Sequence, residues 1–477
     1  MQWDIKTAAR LGILMLGGWL LAGCDQSPPD LVQMPDAVPA AVLITDVGVL
    51  DVDSGAITAN RDVLVIGERI AEIGEAGTTT RPDDVYLIDG SGATLMPGLI
   101  DMHGHVGNSS APRWASEWPD AKRNLRSYLY AGVTTVLDPA DMHNQAFKRR
   151  DRVAAGELPG PRIYAAGPMI TADGGHPVAA LEGAAPWWLR WYLLPRFTRQ
   201  VDSPESAREA VRDIAGRDAD VVKLSVDRIP ESAPRIRREL LTAAVDEADA
   251  LGVRTVAHTG TLDDAVDAAE AGTTLWVHGV YKERIPDEAI ARLVDYGIPM
   301  VATMAVFESY ALLGREPRVA SRLERETVPA ETLAAFNQPP ANDAGEFGAW
   351  LDMLYAQRAA ARDNVRRLHE AGLTILAGSD TQQGVFPGPG LHRELHLLVE
   401  AGLSPAAAIR AATSDAARYL ADGAEPDFGI IAEGKRADLL LVAGDPAVDI
   451  GKLADIRAVL LGGVPLQRTP LAMDAAE

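Results

Sequence analysis

The chain has 477 residues, 47% of them hydrophobic and 23% charged, with a single cysteine. That is enough material for one large domain or two ordinary ones around an extensive core, and it excludes intrinsic disorder. The formal net charge of −22 excludes nucleic acid as a partner, because a polyanion is bound by basic patches, and is read as serving solubility.

At the N-terminus Lys6 and Arg10 precede a short apolar stretch, residues 11–22, that runs into Leu21-Ala22-Gly23-Cys24. The stretch is shorter than the roughly 20 apolar residues of a comfortable transmembrane helix and fits the apolar region of a signal peptide. Leu21 to Cys24 is similar to the bacterial lipobox. That resemblance implies lipidation of Cys24, removal of residues 1–23 and a lipid-anchored protein of the bacterial cell envelope that faces the periplasm. Asp25 resembles the residue that favours inner-membrane retention. The alternative is an ordinary signal peptide with a chance cysteine. With no second cysteine, the mature fold contains no intramolecular disulfide. Residues 24–40 carry several prolines and read as a tether.

Residues 41–97 are short β-like runs broken by Gly and Asp, and the same texture returns over residues 425–477. Two β-rich ends around a long α/β middle suggest a small β-sandwich assembled from both termini. Two separate hairpin packs are the alternative. Over residues 98–424 strand-like and helix-like segments alternate, as in parallel βαβ units. The strand candidates are 99–105, 133–137, 162–166, 220–225, 253–258, 274–278, 299–304 and 374–379. Eight such units make the fold class α/β, a (β/α)₈ barrel. A doubly wound sheet is disfavoured because no Gly-rich phosphate turn follows the first strand.

Six ionisable side chains fall at the ends of these strands. His103 and His105 close LIDMHGH, two apart, so that both imidazoles point to one side of a strand. Gly104 between them lets the backbone pass close to the site. Lys223 lies inside the apolar run DVVKLS, where an unpaired ammonium is costly to bury. His258 ends VRTVAH, His278 ends TLWVH and Asp380 ends TILAGSD. The C-terminal ends of barrel strands are where such enzymes place their active sites.

MPGLIDMHGH, DVVKLS, VAHTG, WVHGV and AGSD resemble, in order and context, the ligand motifs of the amidohydrolase superfamily. ITADGGHP, LHRELHLLVEAGLSPAAAIRAATSDAARYL and GIIAEGKRADLLLVAGDP resemble its substrate loop, last barrel helices and returning β-strands. The similarity spans nearly the whole mature chain and is greatest to the imidazolonepropionase-like and prolidase-like branch, which includes Xaa-Pro dipeptidases. It implies a metal-dependent hydrolase with two zinc ions. His103, His105 and Asp380 would hold one metal, His258 and His278 the other, and carbamylated Lys223 would bridge them. Unmodified Lys223 would leave a single-metal site. A bridging hydroxide would attack the amide carbonyl, with Asp380 carrying the proton to the leaving nitrogen.

The resemblance also makes His176, in ITADGGHP, a candidate for binding the substrate carbonyl or carboxylate. His392 and His396 lie four apart on a helix, with His392 expected at the pocket mouth. His143 and His369 read as surface residues. The implied substrate is a small molecule, a dipeptide or an N-acyl amino acid. Cyclic-amide hydrolysis or deamination on the same ligands, and a non-catalytic lipoprotein binding module, are the alternatives. SVDRIPESAP lacks the glycine-rich turn expected after Lys223, and Val277 replaces the usual acid before His278, so dipeptide specificity does not follow from the metal ligands. Homo-oligomerisation is left open. Residues 315–349 read as an insertion with its own helices.

Residues 184–200 hold Trp187, Trp188 and Trp191 with Arg190, Arg196 and Arg199 interleaved. A helix packed over the barrel rim, a lid on the pocket and a patch resting on the bilayer are three readings of this segment. The bilayer patch predicts that a non-lipidated form partitions onto membranes and loses that binding when Trp187, Trp188 and Trp191 become Ala. No partitioning at all removes the patch.

Overall fold

The computed structural model describes residues 30–115, 117–184, 187–338 and 346–471. The expected signal peptide, residues 1–23, and Cys24 lie outside the described residues. All eight expected barrel strands are present: Leu99–Asp101, Val133–Asp138, Arg162–Ala165, Val221–Ser225, Arg254–His258, Leu275–Val277, Met300–Val301 and Ile375–Leu376. The first three pair in parallel, as do the last five. Two backbone hydrogen bonds join these arcs into a closed barrel. The Asp220 N–H donates to the Ala165 carbonyl at 3.0 Å, and the Met102 N–H to the Ala377 carbonyl at 3.0 Å. Ile100, Val221, Val256, Val277, Val301 and Leu376 fill the interior, which is the packed core expected of such a barrel.

Two differences from expectation concern the strands. The first ends at Asp101, so His103 and His105 lie beyond the ladder, where the chain turns across the barrel mouth. Their direction is set by specific hydrogen bonds rather than by strand alternation. A further parallel pair, Met169–Ala172 and Thr198–Val201, is inserted between the third and fourth strands and joins the fourth at Ile170 and Leu224.

Both chain ends contribute to one eight-stranded sheet beside the barrel. Leu439–Ala443 runs antiparallel to Ala93–Pro97, with Leu441 opposite Leu95. Val42, Ile44, Val63, Leu95, Leu439 and Leu441 share a core, so residues from the two ends bury one apolar face. The tether reading needs correction. Leu31 and Val32 are buried, Val32–Gln33 pairs with Gln467–Arg468, and Asp30 bridges Arg126 at 3.1 Å. Proline content masked this short apolar pair, which fixes the chain to the barrel from residue 30 onward.

The helix Trp187–Phe197 contains no buried residue. Trp187 is 79% and Trp191 75% exposed, which rules out rim packing of these side chains. The insertion forms two short helices, Arg322–Thr327 and Ala330–Ala335, ahead of the long helix Glu346–Glu370. Among the described residues no helix is long and apolar enough to cross a membrane.

Leu95 and Leu441 carry the pairing of the two chain ends. Leu95→Ala should cost about 2–5 kcal/mol, read as a lowered midpoint in urea unfolding.

Candidate metal centre

Asp101 ties the first and last barrel strands together. Its Oδ2 accepts from Ser379 Oγ at 2.5 Å, and its Oδ1 from the backbone N–H groups of Ser379 (2.9 Å) and His103 (3.1 Å). Burial pushes this carboxyl up to about 6 despite those donors. The Asp380 N–H donates in turn to the His103 carbonyl at 2.6 Å. His103 and Asp380 therefore face one another, with His103 Nε2 3.6 Å from Asp380 Oδ1. His105 Nε2 lies 3.0 Å from the same oxygen. Its Nδ1 lies 2.9 Å from the Ala140 carbonyl, which leaves Nε2 as the ligating nitrogen. Gly104 is required for a different reason from the one expected: a Cβ there would meet Tyr128 Oη at 2.4 Å and Val136 at 2.6 Å.

Across the mouth, His278 Nδ1 is 3.7 Å from Asp380 Oδ2 and 2.7 Å from Thr303 Oγ1. The His278 ring sits 4.1 Å from that of His258 and 4.8 Å from that of His103, centroid to centroid. The ligating atoms of His103, His278 and Asp380 come within 4.8 Å of one another. His278 thus lies between the two expected half-sites rather than in one. Of the seven non-glycine residues with positive φ among the described residues, three stand at this mouth: His278 (φ 75°), Thr303 (φ 47°) and Asp380 (φ 54°). Such conformations are uncommon outside glycine and cluster where function demands them.

Lys223 is wholly buried, and its Nζ has no hydrogen-bond partner. Burial pulls its ammonium down to about 7, opposed only by Asp380. Its charge also acts on His103, His105, His258 and His278. Burial holds His103, His258 and His278 below the usual histidine range, which makes them neutral donors. Burial works against His105 too, but the adjacent Asp380 carboxylate raises it overall. Burial alone would raise the Asp380 carboxyl, yet His103, His105 and Gln382 together hold it well below the carboxylate range. Four imidazoles, an unpartnered lysine nitrogen and one carboxylate make a donor set suited to divalent metal, and the buried His103 Nδ1 and Lys223 Nζ without partners fit that reading.

His176 belongs to the cluster. Its ring is 4.8 Å from that of His258, it hydrogen-bonds the Ile229 backbone and burial lowers it to about 3. Its Nδ1 has no partner. His392 does not line the mouth as expected. Its Nε2 is 2.8 Å from the Ala131 carbonyl, and it borders a cavity of about 300 Å³ with Arg318 and His396, separate from the one that His278 borders with Tyr281 and Phe307. Residues buried in the centre but not singled out from the sequence are Asp101, Asp138, Asp227 and Thr303. Asp138 ends a strand as the expected ligands do, and that was its one visible signal. Asp227, four residues past Lys223, carried none.

The chain matches the Amidohydrolase family over residues 94–466. It is 25% identical over 380 residues to an uncharacterized protein of Mycobacterium tuberculosis (strain ATCC 25618 / H37Rv), covering 78% of this chain and 85% of that protein. A prolidase solved in complex with N-methylphosphonate-L-proline superposes with a TM-score of 0.71 at 25% identity, covering 90% of this chain and 100% of that one. A putative prolidase from Bifidobacterium longum gives a TM-score of 0.71 at 26% identity over 92% and 97% of the two chains.

Glu394 supports the Thr303 turn from outside the centre. Its Oε2 accepts from the Ala305 N–H at 2.7 Å, and burial raises the carboxyl from 4.5 to about 8. The folded state keeps this proton at pH values where the unfolded chain has lost it, so folding stability falls as pH rises from about 4.5 through about 8. Glu394→Gln should remove that loss, read as a gain in thermal midpoint relative to wild type at pH 9 and none at pH 4.

Proposed function

Given that the chain belongs to the amidohydrolase family and is a hydrolase of carbon–nitrogen bonds in its prolidase-like branch, we propose that it cleaves the amide bond of a dipeptide or an N-acyl amino acid. His103, His105, His258, His278 and Asp380 would hold the two zinc ions of this proposal, with Lys223 as its carbamate supplying a shared anionic ligand. The observation that carries this reading is the buried, unpartnered Lys223 Nζ among four imidazoles. Attack of the neutral amine on carbon dioxide, with its proton lost to solvent, would form a C–N bond and leave an anionic, two-oxygen carbamate, removing the cost of a buried cation. The metals supply Lewis acidity towards the carbonyl and a water that ionises near neutral pH.

The remaining work falls to side chains. Asp380 Oδ1 accepts from Gln382 Nε2 at 2.6 Å and lies 3.0 Å from His105 Nε2, the nitrogen that would ligate the metal beside it. Oδ2 is the freer oxygen, and it takes the proton released on attack and returns it to the leaving nitrogen. His176 Nδ1 is buried without a partner, its ring beside that of His258, and this nitrogen is the proposed contact to the substrate carbonyl or carboxylate that the resemblance suggested. Lipid anchoring at Cys24 and a periplasmic location are proposed on the lipobox resemblance alone.

Metal analysis beside a screen of dipeptides, N-acyl amino acids and cyclic amides tests this function. The expected result is about two zinc equivalents and hydrolysis of the first or second class. Lys223→Ala should lower the metal content, and Asp380→Asn should reduce turnover about 10²–10⁴-fold. Turnover of cyclic amides alone would reassign the substrate. A metal-free protein that stays inactive after addition of zinc and bicarbonate would refute the proposal.

A further inference from the structure

Asp227 stands in the turn after Lys223, at the end of the fourth barrel strand. Its side chain is buried beside His258, with Oδ2 3.4 Å from His258 Nε2, an ion-pair contact and not an aligned hydrogen bond, since Nε2 has no hydrogen-bond partner. Tyr281 Oη donates to the same oxygen at 2.5 Å, and Lys282 Nζ lies 2.7 Å from Oδ1. The backbone closes the arrangement: the N–H groups of Val226 and Asp227 both donate to the His258 carbonyl, at 3.0 and 3.2 Å. Gly260, two residues past His258, makes the room, since a Cβ there would lie 2.5 Å from the Asp227 carboxyl carbon.

We propose that Asp227 is the positioning residue of His258, holding the Nε2 side of the ring so that Nδ1 is presented to the second metal. This rests on the metal centre argued above. A structural ion pair with Lys282 does not account for the carboxylate, because Lys282 is also met by Glu231 at 2.6 Å and by the Arg228 carbonyl at 2.5 Å. Tyr281 and Lys282 instead fix both oxygens of Asp227, and one of them remains against the imidazole. A metal-ligating histidine whose distal nitrogen meets a carboxylate keeps one tautomer and one orientation, and losing such a partner weakens metal binding about 10–100-fold. The turn after Lys223 thus serves to orient a ligand candidate contributed by the next strand.

The test uses full-length protein carrying Asp227→Asn, Asp227→Ala or Asp227→Glu. Zinc affinity is read by chelator competition, and ligand geometry by the visible spectrum of the cobalt-substituted protein. Asp227→Asn and Asp227→Ala should weaken one of the two metals about 10–100-fold and change the cobalt spectrum, with Asp227→Glu recovering part of the affinity. Asp227→Asn, nearly the same shape, keeps the test decisive if Asp227→Ala does not fold. Wild-type affinity for both metals with an unchanged spectrum in Asp227→Asn overturns the proposal. So does an equal loss of both metals accompanied by a lowered melting point of the metal-free protein. If wild type itself takes up no metal, the metal-centre reading fails first, and that outcome is distinct from both.

Discussion

An ammonium group is tolerated in a protein interior only if it is paired, neutralised or chemically converted. Lys223 sits in the fourth barrel strand with its nitrogen buried and unpartnered, and the surrounding side chains are arranged around that difficulty. The histidines beside it are kept neutral by burial, so they add no competing cations. Asp380 is the one ligand carboxylate, and it is shared by His103, His105 and His278. The site gathers imidazole lone pairs around one carboxylate and one unpartnered lysine nitrogen, and the proposed metals and carbamate would balance that arrangement.

Holding that arrangement requires unusual backbone at the barrel mouth. His278, Thr303 and Asp380 all take left-handed conformations at the ends of neighbouring strands, each costing of order 1–3 kcal/mol. The surroundings hold them in place. Thr303 is gripped through the Glu394 contact to Ala305, Asp380 through the carbonyl of His103, and His278 through the Thr303 hydroxyl. A mutation in the helix Pro389–Glu400 can therefore reach the centre without touching it.

Much of this was legible in the sequence because barrel strands announce their ends. An apolar run that stops on His, Lys or Asp places a polar group at the mouth, and the six ligand candidates were found that way. The sequence read the strands as too long, since nothing in LIDMHGH marks where the ladder stops and the turn across the mouth begins. His392 failed for a related reason: helical spacing tells which residues share a face but not which neighbour that face meets, and its partner is the Ala131 carbonyl. The partners of the ligands were the least legible. Asp227 acts through residues distant in sequence, Tyr281 and Lys282, and no local pattern encodes such a meeting.

The sheet built from both chain ends has a consequence for how the molecule comes into being. Thr94 Oγ1 donates to the Gly444 carbonyl across a separation of 350 residues. Contacts so remote form late, because closing a long loop is entropically unfavourable before the contact stabilises it. Until Leu439–Ala443 arrives, Ala93–Pro97 presents an unpaired apolar edge of the kind that recruits strands from other chains. A nascent chain passes through a stage in which most of its barrel sequence has been made while that edge stands open. The hazard of this architecture is therefore kinetic: the molecule is most prone to aggregate just before its last fifty or so residues take their place.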